Sequence, residues 1–359
     1  MKKTGRIRLN ISECVRIYYR DSSCSECLKV CPVNGAIYQD DYKVFINNEL
    51  CVSCGACSGV CPSQAFEFDG FSPEELVKRI STTGETVSCK TNIPCLSALS
   101  VEHLIAAALN SQNDIILDTG HCRECFIGSL LEEIERKKEE ANYVLERLGV
   151  ENRVVTQELS LQPEKKEEKK RREFLKNFGK AAAGLTFWAL APRLSSFEEE
   201  DFKPKNIVEE KVNIPKRKLL IESLKAAQPE PSTQLETEKI SFTSDKWIDN
   251  SKCTNCSVCY NVCPTGALKP GEERLKILFE PKLCIKCGIC HEICPENCLH
   301  LEEKITLGTF LNETKVLAEH VMIPCEECLV PFSYKGDTTL CPRCRQLEDE
   351  IRDLLQIGE

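Results

Sequence analysis

The chain has 359 residues and a formal net charge of −9, so it lacks the surplus of Lys and Arg that neutralises phosphates in sequence-independent nucleic-acid binding. Its 25 cysteines stand almost entirely at C-x2-C or C-x3-C spacing in a long chain. That pattern excludes the disulfide-dense scaffold of a small secreted domain and points to thiolates held for metal in a reducing compartment. MKKTGRIRLN has no apolar core and is expected to be no secretory signal. No G-x-G-x-x-G follows a strand, and neither a P-loop nor a nucleophile–base arrangement is present, so flavin, nicotinamide and ATP chemistry have no motif.

Residues 8–70 carry a complete C-x2-C-x2-C-x3-C-P run, Cys51/Cys54/Cys57/Cys61-Pro62. The first three cysteines of such a run share one tight loop and converge on three irons of a cubane, while the fourth reaches the other cluster. The preceding run reads Cys24/Cys27/Cys31-Pro32, with Asp21 where its first cysteine belongs and Cys14 ten residues before Cys24. The spacing therefore predicts one [4Fe–4S] cluster on Cys14, Cys24, Cys27 and Cys61, and another on Cys51, Cys54, Cys57 and Cys31. For the first of these, a bulged loop that brings in Cys14 competes with a three-iron cluster and with an Asp21 ligand. A soft thiolate suits iron–sulfur chemistry better than a carboxylate, which favours Cys14.

Residues 71–160 alternate strand and helix. Ser72-Pro73-Glu74-Glu75 is a helix start, followed by a strand over 85–88, a helix over 101–110, a strand over 114–117, a charged helix over 127–148 and a strand over 153–156. This order predicts a small α/β domain on a three-stranded parallel sheet. Cys89 and Cys122 each follow a strand, and Cys95 and Cys125 lie in turns leading to helices. These four are expected to converge at the carboxyl ends of the strands on a [2Fe–2S] cluster or a zinc, against the plainer reading of two buried cysteine pairs. The segment resembles the small cysteine-bearing α/β domains appended to multicluster ferredoxins.

Residues 161–240 read as a charged linker with an inserted apolar segment. Arg171-Arg172-Glu173-Phe174-Leu175-Lys176, then the uncharged 181–192 ending in Ala189-Leu190-Ala191, resembles a twin-arginine export signal in an unusual internal position. The apolar stretch is short for a membrane span. Export of the second half, a relict of gene fusion, and a helix docking on a partner or membrane all stand open, so membrane association through 171–192 is a candidate property. Residues 195–240, rich in Glu, Lys and Pro, complete the linker.

Residues 241–305 hold two complete runs, Cys253/Cys256/Cys259/Cys263-Pro264 and Cys284/Cys287/Cys290/Cys294-Pro295. Exchange of the fourth cysteines assigns one cluster to Cys253, Cys256, Cys259 and Cys294, and the other to Cys284, Cys287, Cys290 and Cys263. Cys24, Cys27 and Cys31 match Cys256, Cys259 and Cys263 at a constant offset of 232, and the second run of each half at 233, which reads as an internal duplication. Cys298 is left as a bystander. Both 8–70 and 245–305 resemble bacterial-type ferredoxins with two [4Fe–4S] clusters. The fold class expected for the whole is α+β: two dicluster ferredoxin domains, the small α/β domain and a zinc ribbon.

The ribbon is 306–359, where Cys325-x2-Cys328 and Cys341-x2-Cys344 are two knuckles of a four-thiolate site. Zinc is favoured over a rubredoxin-type iron because Leu329 and Arg345 stand where the usual glycines would follow. A helix over 345–357, with Leu347, Ile351, Leu354 and Leu355 at helical spacing, is expected to pack on the ribbon or on a partner. Of His103, His121, His291, His300 and His320, only His121 and His291 adjoin ligand cysteines.

The resemblance to multicluster ferredoxins implies an electron carrier rather than an enzyme. It would exchange low-potential electrons with a redox enzyme or another carrier, for instance of formate dehydrogenase or hydrogenase type, in the cytoplasm or at a membrane. Two rivals are a thiol, disulfide or sulfur-converting subunit working at Cys89/Cys95/Cys122/Cys125, and a maturation factor for another metalloenzyme.

Overall fold

The computed structural model describes residues 6–159, 206 and 208–355. They form two compact units, the first built from 6–17, 25–159, 206 and 214–229, the second from 18–24, 208–213 and 230–355. The twin-arginine-like segment lies outside the described residues. Among the described residues, no helix is long and apolar enough to cross a membrane.

In the first unit, Ile7–Leu9 pairs antiparallel with Phe66–Phe68, and Ile37–Asp40 with Lys43–Ile46 as a hairpin. Tyr38 and Phe45 stack across the hairpin with ring centroids 5.6 Å apart. Two short helices, Glu26–Val30 and Ala56–Val60, each end at a cysteine in extended backbone. Pro32 and Pro62 follow those cysteines, and a residue before proline is pushed out of the helical region. Ile7, Ile37, Val44, Ala65 and Phe66 close the core around the sulfurs.

The rest of this unit is the α/β part. The helix Pro73–Thr83 is capped by Ser72, which accepts the Glu75 N–H at 3.2 Å, and stops at Gly84 with φ +66°. Ile115–Asp118 and Val154–Gln157 are parallel strands, and Val87 joins the other side of Ile115–Asp118 through one parallel bridge. The expected three-stranded order is therefore present, with its first strand reduced to a bridge. The helix Leu130–Arg147 begins later than expected because the preceding residues wind in turns around Cys122 and Cys125.

The span read as linker departs from that reading. Pro215–Ala227 is a helix that buries Leu219, Leu220 and Leu224, and its Asn110 contact is a hydrogen bond of 2.7 Å to Ser223. Its charges misled because two of them are not solvated: Arg217 Nε lies 2.7 Å from Glu102 Oε1 and Lys216 Nζ 3.3 Å from Glu102 Oε2, all three side chains being buried. Charge paired in the interior has the same composition as charge in a linker.

The second unit has a similar set of strands and short helices: Lys246–Ile248 pairs with Leu299–Leu301, Leu268–Pro270 with Lys276–Phe279, and the short helices are Val258–Asn261 and Ile289–Glu292. Lys315–Glu319 adds a third strand to Lys276–Phe279, so the boundary expected at 305/306 falls later; an open sheet edge takes up the chain that follows it. Gln234–Glu236, also within the expected linker, pairs with Lys304–Thr306. The hairpin Val321–Pro324 and Pro331–Tyr334 and the helix Pro342–Leu354 complete the unit. On that helix Leu347 and Ile351 are 55% and 48% exposed, so its apolar face is not covered by the hairpin.

Candidate metal centres

Each complete cysteine run is a loop of unusual backbone. Ser53 and Gly55, Asn255 and Ser257, and Lys286 and Gly288 all have positive φ, between 51° and 84°. Left-handed residues at alternate positions turn successive N–H groups inward, a cradle for an anionic group. Residues around the incomplete run differ, since Ser25 has φ −141°. Loss of the first cysteine thus goes with loss of the loop conformation.

In the second unit, two hollows are lined by the quartets that the exchange of fourth cysteines predicts. One is bordered by Cys253, Cys256, Cys259 and Cys294 together with Ile248, Ile277 and Leu299. The other is bordered by Cys263, Cys284, Cys287 and Cys290 together with Ile285, Ile289 and Phe279. Burial pushes the Cys290 thiol up to about 12, and Cys284 and Cys263 add to it, although Lys246 opposes them. Thiols so placed give up protons only to a metal.

Two residues at these hollows escaped sequence reasoning. Lys246 is 3% exposed and borders the second hollow. Burial alone would lower its pKa, but Cys284, Cys290, Cys287 and Cys263 outweigh that and raise it. Its Nζ donates to His291 Nε2 at 3.0 Å, while His291 Nδ1 donates to the Leu299 carbonyl at 3.0 Å. Burial, then Lys246, hold His291 down to about 4, so it is neutral. Cys298, taken as a bystander, lies with its Sγ 3.6 Å from Cys294 Sγ and borders the first hollow. A lone Lys or Cys carries no signal in the sequence until strand register places it.

In the first unit, Cys14, Cys27, Cys31, Cys51, Cys57 and Cys61 meet in one core cluster. Burial drives the Cys54 thiol up to about 12, with Cys95, Cys31 and Cys51 adding to it. Asp21 is exposed, and Cys24 belongs to the second unit, where its N–H is accepted by Ser22 Oγ at 3.3 Å. His103 is a helix cap: its Nδ1 accepts the Ser100 N–H at 3.1 Å, and Ser100 Oγ accepts its N–H at 3.3 Å. His121 sits partly buried in the turn before Cys122. His320 Nδ1 is 2.8 Å from Ser333 Oγ, and the His300 ring lies 4.4 Å from that of Trp247.

The central cysteines sit at the carboxyl ends of the parallel strands. Asp118 ties these ends together: Oδ1 accepts the N–H of Gly120 at 3.0 Å and of Leu159 at 3.2 Å, and Oδ2 accepts Ser88 Oγ at 2.7 Å and faces Lys90 Nζ at 3.0 Å. The Cys122–Gly128 turn closes through Cys125 N–H to Cys122 O at 3.3 Å and Gly128 N–H to Cys125 O at 2.8 Å. A Cβ at Gly128 would stand 2.5 Å from the Cys122 carbonyl oxygen, so only glycine fits.

Among the described residues, one group of His, Cys, Asp or Glu brings its ligand atoms to within 4.8 Å of one another: Cys325, Cys328, Cys341 and Cys344. Cys328 Sγ and Cys341 Sγ are 3.8 Å apart, the edge of a tetrahedron of about 2.3 Å metal–sulfur bonds. Cys341 N–H donates to Cys325 Sγ at 3.2 Å and Cys344 N–H to Cys341 Sγ at 3.4 Å. Backbone N–H groups of Cys328 and Cys341 hold Cys325 down to about 6, while the neighbouring sulfurs, Cys341 first, push Cys344 up to about 12.

Comparison with known proteins matches residues 245–295 and 22–65 to families described as 4Fe-4S dicluster domains. A 7Fe ferredoxin of Hydrogenibacillus schlegelii is 39% identical over 51 residues, 14% of this chain and 64% of the relative. A polyferredoxin of Methanothermobacter marburgensis is 35% identical over 83 residues, 23% of this chain and 19% of the relative. Formate hydrogenlyase subunit 2 of Escherichia coli is 38% identical over 77 residues, 21% of this chain and 37% of the relative. The chain thus spans less than two thirds of the length of each of these three relatives. The two cysteine-run segments are ferredoxin-like 4Fe–4S dicluster domains.

Proposed function

We propose that this chain is an electron carrier with four [4Fe–4S] clusters on the cysteine runs. It relays low-potential electrons to or from a partner oxidoreductase. The observation that supports this most is the pair of hollows in the second unit, each lined by three cysteines of one run and the fourth of the other. A cubane with a thiolate on every iron supplies one-electron storage and no open site for substrate. The chain's own work is to exclude water, through Ile285 at 3% and Ile289 at 0% exposure, and to balance negative charge, through Lys246. The matching plan of strands and short helices in the two ferredoxin-like segments supports the reading of an internal duplication.

Zinc at Cys325, Cys328, Cys341 and Cys344 completes the proposal, since the sulfur spacing fits one closed tetrahedral ion. The relative named as a polyferredoxin supports a multicluster carrier, and the one named as a formate hydrogenlyase subunit supports a partner of formate dehydrogenase or hydrogenase type. The test is electron exchange: the anaerobically purified chain should be reduced and reoxidised reversibly by low-potential dyes and turn over no substrate alone. Turnover of a sulfur, thiol or disulfide substrate without a partner would replace the carrier by the catalytic reading.

A further inference from the structure

We propose that Cys89, Cys95, Cys122 and Cys125 hold a fifth iron–sulfur cluster, in electron exchange with the cubane assigned to Cys31, Cys51, Cys54 and Cys57. The proposal rests on the electron-carrier reading and extends it to a site without ferredoxin spacing.

Topology gathers the four sulfurs. Cys89 follows the Val87 bridge and Cys122 follows Ile115–Asp118, so both leave the same end of the parallel sheet. Cys95 stands immediately before the 3-10 turn Leu96–Ala98, and Cys125 lies in the glycine-closed turn after Cys122. Sheet topology thus brings all four cysteines to one end of the parallel sheet, which makes them one site in this proposal.

Sulfur spacing favours a cluster over zinc. A single tetrahedral ion with metal–sulfur bonds of about 2.3 Å draws its sulfurs to roughly 3.8 Å. Among the described residues, only the ribbon quartet brings its four sulfurs to within 4.8 Å of one another. Neither the central quartet nor a ferredoxin quartet is drawn together in that way. Wide four-thiolate sites accommodate several irons bridged by sulfide.

The two sites also abut. Gly55 and Gly59 lie on one face of the Ala56–Val60 helix and its cap, and they press against the turn that follows Cys95. A Cβ at Gly55 would stand 2.8 Å from Ala98 Cβ, and one at Gly59 would overlap the Ser97 carbonyl oxygen. Lys137 lies at this junction with its side chain 2% exposed, and its Nζ donates to Ser97 O at 2.9 Å. Its ammonium also faces Glu133 Oε1 at 3.5 Å, so an ion pair stands beside both sites. The step is a one-electron exchange: the reduced cubane is oxidised, the central cluster is reduced, and no covalent bond forms or breaks.

The test compares the full anaerobically purified chain with its Cys122→Ser/Cys125→Ser variant for iron, labile sulfide and zinc, with EPR of the dithionite-reduced proteins. The variant should lose two or four irons with matching sulfide and keep its zinc. In the parent, one cubane signal should relax faster through its neighbour and slow in the variant. Loss of a zinc, or no change in metal, would overturn the proposal. Should the variant fail to fold, the parent alone decides: one zinc per chain is expected, and two contradict it. Absence of the ferredoxin irons from both proteins would strike the carrier reading, and the difference between them would still report on the central site.

Discussion

Lys216 Nζ donates to the carbonyl oxygen of Cys61 at 2.6 Å across 155 residues of chain. The same ammonium stands 3.3 Å from Glu102 Oε2, whose other oxygen pairs with Arg217. A helix in a stretch that reads as linker is thereby tied to the last cysteine of a ferredoxin run. Burial alone would raise the Glu102 pKa, but Arg217 and Lys216 outweigh it and hold the carboxyl below its ordinary range.

Removing that ammonium should cost stability before it costs chemistry. Lys216→Met strips one partner from a buried ion group, a change worth about 3 kcal/mol. Chemical unfolding of the holoprotein should show the loss, with metal content unchanged under native conditions. Because the folded pKa of Glu102 is depressed, its contribution is present above the ordinary carboxylate range and fades as pH falls below it. The gap between parent and variant should therefore narrow in acid.

Lys246 should set one cluster apart from its counterpart. Strand register places it where the first ferredoxin segment has Ile7. A buried cation favours the more negative, reduced state. Lys246→Met should lower the potential of the Cys263/Cys284/Cys287/Cys290 cluster by on the order of 50–100 mV, the Coulomb energy of one charge at moderate dielectric. EPR-monitored redox titration reads this directly, and an unchanged potential would remove Lys246 from the site.

Beside the Cys325/Cys328/Cys341/Cys344 group, Leu329 adopts φ +60° and is 73% exposed, and its N–H donates to Cys325 O at 2.9 Å. The left-handed backbone that a knuckle needs is present although glycine is not. Leu329→Gly should stabilise the hairpin by about 1 kcal/mol by relieving Cβ strain. Slower loss of metal to a chelator would show it; faster loss would mean that the Leu329 side chain matters more than its backbone.

The incomplete run gives a fourth expectation. Cys14 packs in the core with Cys27 and Cys61, whereas Asp21 is exposed. Cys14→Ser should remove irons from one cluster, and Asp21→Asn should leave the iron count unchanged. The reverse pattern would make the carboxylate the ligand.

What the sequence made legible is local. Cysteine spacing pointed to the sulfurs that line the two hollows of the second unit, Pro32 and Pro62 marked the ends of the short helices, and Ser72-Pro73 marked a helix start because caps are short-range chemistry. Register and burial were not legible. The Pro215–Ala227 helix looked like linker because a Lys or Arg paired inside the protein is indistinguishable by composition from one in water. Lys246 and Cys298 acquire meaning only when strand pairing sets them beside the hollows. The strand Lys315–Glu319 joined the ferredoxin sheet for the same non-local reason.

The central claim is that cysteine quartets exchanged between neighbouring loops wrap iron–sulfur clusters. Iron and labile sulfide, counted per chain after anaerobic isolation and reconstitution, test it most directly. About sixteen irons with equal sulfide from the ferredoxin segments, with two or four more from the central site, and a brown colour bleached by dithionite, are the predicted result. A colourless chain without labile sulfide would contradict it.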